Sequence, residues 1–124
     1  MTKPIQEVLS VEAVMEAYDS NPALIKTAGM WCEPSFREDG KWCACPASAV
    51  ASRMGILPED IDASDDPGDL LAEAFDQMPG VIRAFAEGVD GSAPWPYLSE
   101  DEVVAYYHGK DVREALGLGE AGTK

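Results

Sequence analysis

The chain has 124 residues, with 9 Lys+Arg against 23 Asp+Glu, a formal net charge of −14 and 46% hydrophobic residues. That length suits one domain and lets roughly two-thirds of the unfolded surface be buried, while the apolar fraction excludes wholesale disorder. A charge of −14 speaks against direct nucleic-acid binding, because a phosphate backbone is held by Lys and Arg that displace its counterions.

No apolar run approaches the roughly 18–20 residues of a membrane helix. Met1 to Glu7 lacks the basic end followed by an apolar stretch that marks a secretory signal. A soluble, cytoplasmic protein with no membrane partner is expected. The odd cysteine count of three implies no multi-bridge disulfide framework. A single domain over 1–124 is expected, with an ordered core at about 5–116 and a frayed tail over 117–124.

The first helix is predicted from Ser10, a good N-cap, to Asp19. Val11, Val14, Met15 and Tyr18 make its apolar stripe. Asn21-Pro22 starts a short second helix that Gly29 closes. Asp39-Gly40 is a hairpin signal, since a type I′ turn needs positive φ at both central residues. With those two as the loop, Glu38 pairs with Lys41, Arg37 with Trp42 and Phe36 with Cys43, and Pro34 keeps the first strand short or at an edge.

Pro46 opens a third helix that Gly55 stops, with Ala47, Val50, Ala51 and Met54 turned inward. Ile56 to Pro67 reads as an acidic loop. Asp69 caps a fourth helix through Met78, whose inner face is Leu70, Leu71, Ala74, Phe75 and Met78. Pro79-Gly80 breaks it, and Val81 to Glu87 adds further helical turns. Gly88 to Leu98 is a loop whose Pro-Trp-Pro folds back on the body. Ser99 and Glu102 form a capping box, with a helix to about His108 that stops at Gly109. Asp111 and Glu114 repeat the box for a last helix through about Leu116. There is no internal repeat. The expected fold is a mainly α domain (α+β) of about five to seven short helices with one small β-hairpin.

The acidic residues are unevenly spread: residues 1–62 carry 5 basic and 10 acidic side chains, residues 63–124 carry 4 and 13. Glu59, Asp60, Asp62, Asp65, Asp66, Asp69, Glu73 and Asp76 form the densest stretch, with no base among them. They are candidates for docking a basic partner or for mimicking nucleic-acid phosphate; equally they serve as a solvated, solubilising face. No EF-hand spacing is present. Trp95 is a candidate interface anchor; Trp42 is expected in the core, and Trp31 in either place.

Cys32, Cys43 and Cys45 fall on one face in the register above, so three thiols could hold zinc with His108 as fourth ligand. Cys43-Ala44-Cys45 is tighter than a standard zinc knuckle. Other readings are a Cys32–Cys45 disulfide, a Cys45 thiolate at a helix N-terminus with His108 as base, and apolar packing. No pair of carboxylates is singled out as an acid/base couple, so no catalytic residue is assigned and no cofactor is required, zinc being the one candidate.

Gly29-Met30-Trp31-Cys32, Phe36 to Gly40 and Cys43 to Ser48 together resemble a small domain of actinobacteria and their phages. Its pattern is Gly-x-Trp, then Arg-Asp-x-x-Gly, then Cys-Ala-x-Gly-Ala-Leu opening a helix. The resemblance covers about residues 24–52. Cys43 and Ala44 match, while Cys45 and Pro46 stand where the pattern has a variable residue and Gly. That domain has no assigned activity, so the resemblance implies a strand-then-helix segment and an actinobacterial or phage origin, with no catalytic residues. The leading expectation is a small acidic regulatory protein that binds and modulates a protein with a basic surface. The competing one is a zinc- or thiol-dependent site on Cys32, Cys43 and Cys45.

Overall fold

Prolines and small polar residues set most of the helix starts. The structure, a computed structural model, describes residues 3–27, 31–35, 39–94 and 96–117. A four-residue turn of helix, α1 (Ile5–Val8), precedes α2 (Val11–Asp19), where the Ser10 hydroxyl accepts from the Ala13 N–H at 3.1 Å. Val14, Ala17 and Tyr18 are its buried face, and Met15 of the expected stripe is exposed.

The chain then departs from the expected second helix. Asn21 makes a turn, its side-chain oxygen accepting from Ala23 N–H and its carbonyl from Leu24 N–H. A strand, β1 (Leu24–Lys26), takes the place of the helix. A helix that short leaves most of its backbone groups without an internal partner, whereas pairing with another strand satisfies them. Gly29, the expected stop, lies outside the described residues.

The hairpin exists, but in another register. β2 (Cys32–Pro34) runs antiparallel to β3 (Trp42–Ala44), pairing Cys32 with Ala44, Glu33 with Cys43 and Pro34 with Trp42. Ser35 N–H bonds the Lys41 carbonyl at 2.9 Å, so the connection spans residues 36–40 rather than two. Phe36, Arg37 and Glu38, the expected pairing residues, lie outside the described residues. The slip of three positions is odd, and an odd slip turns a strand's side chains to the opposite face. β1 joins β3 in parallel, making a three-stranded sheet of order β1-β3-β2.

α3 (Pro46–Arg53) starts at Pro46 and ends before Gly55 at φ 93°. It is buried on nearly every side, from Pro46 to Ala51, while Met54 is exposed. The expected acidic loop contains α4 (Pro58–Ala63): Pro58 holds the first position, the Asp60 carboxylate accepts from Leu57 N–H, and Ile61 is fully buried. α5 (Pro67–Phe75) is capped by Asp66, not Asp69; the Asp66 carboxylate accepts from Asp69 N–H at 3.1 Å. It ends at Asp76, φ 57°, so Met78 lies beyond it and is exposed rather than inward.

Pro79 begins α6 (Pro79–Asp90), which extends through Gly88 before Gly91 closes it in the left-handed conformation. Ser99 and Glu102 form the expected box and open α7 (Glu100–Ala115). α7 continues through Gly109, so no second box forms at Asp111. A Cβ at Gly109 would stand 2.2 Å from the Phe85 carbonyl oxygen, and one at Gly88 2.0 Å from that of Tyr106. The two glycines let α6 and α7 approach backbone to backbone. Glu102 lies against Gly80 near the start of α6, and Arg113 reaches Val89 near its end. The helices therefore run the same way, and the connection over 91–99 carries the chain back. The result is a mostly helical α+β fold with a small sheet, its core shared by the seven described helices and the sheet. Apart from Gly117, the expected tail lies outside the described residues.

Candidate functional site

The cysteine segment is positioned by the slipped hairpin. Cys32 faces with Ala44 and is buried, while Cys43 sits on the other side of the sheet, half-buried beside Glu33. Cys45 follows the strand as the cap residue of α3; its N–H bonds the Trp31 carbonyl, and its Sγ lies 3.4 Å from Ser48 Oγ. Trp31 holds φ 71°, costly for a bulky side chain; its indole lies over Gly68, at 3.3 Å from where a Cβ would be. Trp31 and Trp42 are both half-buried against the core.

Tyr18, read from sequence only as part of an apolar stripe, organises this corner. Its hydroxyl donates to the Ala44 carbonyl at 2.6 Å, tying α2 to β3. Burial pushes the Tyr18 pKa up strongly, Cys45 and Cys32 add to that, and a hydrogen bond from the Thr27 backbone opposes it. Burial pushes the Cys32 thiol up to about 12, reinforced by Cys45, Asp62, Cys43 and Glu33. A thiol in that state is protonated at neutral pH and is a poor nucleophile.

His108 is occupied elsewhere. Its Nε2 lies 2.7 Å from the Leu9 carbonyl, which can only accept, so Nε2 carries the proton; the ring packs on Phe85 at 5.6 Å. Among the described residues, no three His, Cys, Asp or Glu side chains are gathered where they could hold a metal ion. Cys32 and Cys45 are both buried as free thiols, in a corner they share with Tyr18 and Ser48.

The acidic stretch is a different environment. Glu59, Asp60, Asp62, Asp65, Asp66, Asp69, Glu73 and Asp76 are all exposed, on α4, α5 and the turns that end them. Asp60 and Asp66 also cap helices. Exposed carboxylates occur on α1, α2, β2 and α7 as well, so the acids are spread over six elements. Trp95, the expected anchor, lies outside the described residues.

A groove of about 460 Å³ lies where the start of α1, the link after α5 and the first turns of α7 meet. Sequence reading missed it by turning Met78 inward. Pro79 was the available signal: a residue just before a helix-initiating proline is a cap and stands outside the helix. No helix among the described residues is long and apolar enough to cross a membrane. Comparison with family models, with curated proteins and with solved structures gives no match.

Proposed function

We propose that this chain is a small acidic docking protein that binds and modulates a protein with a basic surface, such as one that handles nucleic acid. An origin in a phage or mobile element, and inhibition as the outcome, belong to the same reading. One observation carries it: all eight carboxylates between Glu59 and Asp76 are exposed, with no Lys or Arg among them. Such a surface produces a field that speeds and orients encounter with a cationic partner. Spread over six elements, the acids support surface complementarity better than a phosphate-like row. The thiol reading has less support at Cys32, whose thiol burial holds protonated.

The test is binding to a panel of purified basic proteins, measured by calorimetry at low and high salt. Saturable binding that weakens with salt is expected. Neutralising Glu59→Gln, Asp62→Asn, Asp65→Asn and Asp69→Asn together, at positions that keep the Asp60 and Asp66 caps, should weaken it about tenfold or more. Binding indifferent to both salt and these substitutions would overturn the reading.

A further inference from the structure

We infer that the groove between α1, the α5–α6 link and α7 is the seat of a Lys- or Arg-bearing amphipathic helix of the partner, an inference that rests on the docking role just proposed. The floor is apolar and open to solvent. Met78 is 71% exposed and shares the groove with Val81 and Val104, the latter 43% exposed. Val103 and Tyr107 are also exposed on α7; Tyr107 stands three residues after Val104, one turn along, so the apolar surface continues beyond the groove.

The rim is mostly acidic. Asp76 and Asp101 line the groove, and Lys3 is the one basic side chain lining it among the described residues. Glu100 adjoins Asp101 in the first turn of α7, and Asp111 lies one turn past Tyr107, both exposed; Lys110 stands beside Asp111 with its Nζ 5.9 Å from the centre of the Tyr107 ring. The walls are tied together: Gln77 Nε2 donates to the Lys3 carbonyl at 2.6 Å, joining the link to the chain before α1.

These features select the occupant. An apolar floor takes the Leu, Ile or Phe stripe that a helix offers at i, i+3 and i+4, the recognition mode of helix-in-groove complexes. Methionine adapts to such side chains because it is unbranched and polarizable. Carboxylates on the rim favour Lys or Arg flanking that stripe and disfavour an acidic helix. A second copy of this chain, at −14, would bring like charge to like charge.

Three synthetic helical peptides of equal length test this: one with a Leu stripe flanked by Lys, one with the same stripe flanked by Gln, and one with Lys but no stripe. Titrated into isotopically labelled protein, the Leu/Lys peptide is expected to bind best and to shift the amide signals of Met78, Val104 and Tyr107. Met78→Ser with Val104→Ser should weaken it about tenfold, and Asp101→Asn about threefold with a shallower salt dependence. Met54→Ser with Leu57→Ser, also exposed but outside the groove, should leave it unchanged; circular dichroism confirms that all variants stay folded. Shifts confined to α4 and α5 would overturn the groove while leaving the docking role standing. Equal binding of the Leu/Gln or the stripeless peptide, no binding of any peptide, or self-association through the same residues would each overturn it too. The calorimetric panel of folded basic proteins decides the docking role independently.

Discussion

Tyr18 and Cys32 show what a single buried hydroxyl or thiol contributes. Both side chains are neutral when folded, and burial is the main cause that raises both pKa values. For such groups the folded state binds its proton more tightly than the unfolded chain does. The associated stability is complete below the unfolded value and disappears as pH climbs toward the folded one. For Cys32 that window runs from the ordinary 9.0 to about 12, and for Tyr18 it opens above 10.0. Denaturant midpoints should therefore fall as pH rises above about 9, and Tyr18→Phe with Cys32→Ala should flatten that fall even though each costs stability at pH 7. A midpoint indifferent to pH up to about 11 in the parent chain would contradict the burial account. The cysteines were visible in sequence; their separation onto two faces was not, because it depends on a register that the Asp39-Gly40 signal set three positions away from the observed one.

Among the elements, helix starts were more legible than helix stops. Ser10, Pro46, Ser99 and Glu102 act locally, within one turn, and each sits where the sequence places it. Gly109 does not act locally. Taken alone it is a helix stop; in the fold it is the point where α7 passes the backbone of α6. Likewise β1 exists because β3 is there to pair with it, and α4 because Ile61 has a core to enter. Gly109→Ala distinguishes the two roles of glycine. By propensity alone, alanine in a helix interior should stabilise by roughly 1 kcal/mol. Because the new Cβ would meet the Phe85 carbonyl at 2.2 Å, the substitution should instead destabilise by about 3 kcal/mol as the helices are pushed apart. Urea unfolding of the single variant measures the sign directly, and stabilisation would refute the close approach. The same packing leaves Arg113 almost fully buried, its Nη1 donating to the Val89 carbonyl at 2.6 Å near the end of α6. A cation at that helix end is favoured by the carbonyls that have no partner within the helix.

At the scale of the whole molecule, charge pulls against stability. The ratio of 9 bases to 23 acids was legible from composition, but which carboxylates face outward on which elements emerged only from the fold. The groove was illegible for a related reason: it joins Lys3, Met78 and Val104, residues far apart in sequence. The Arg53–Glu16 pair, at 3.1 Å, is exposed at both ends and offsets little of the excess. Self-repulsion among uncompensated carboxylates should make the chain less stable at low ionic strength than at high. Its melting temperature should rise by several degrees as sodium chloride is added across the range where the Debye length drops from about 30 Å to about 8 Å. The four substitutions Glu59→Gln, Asp62→Asn, Asp65→Asn and Asp69→Asn should raise the low-salt value and shrink that increment. Scanning calorimetry of both proteins across the salt series measures it, and an increment unchanged by neutralisation would mean that the acids of α4 and α5 do not feel one another. A surface that costs stability unless a cation approaches is also one whose free energy falls when a basic partner docks. The salt increment of the free chain and the salt dependence of the proposed docking should therefore shrink together in the neutralised variant.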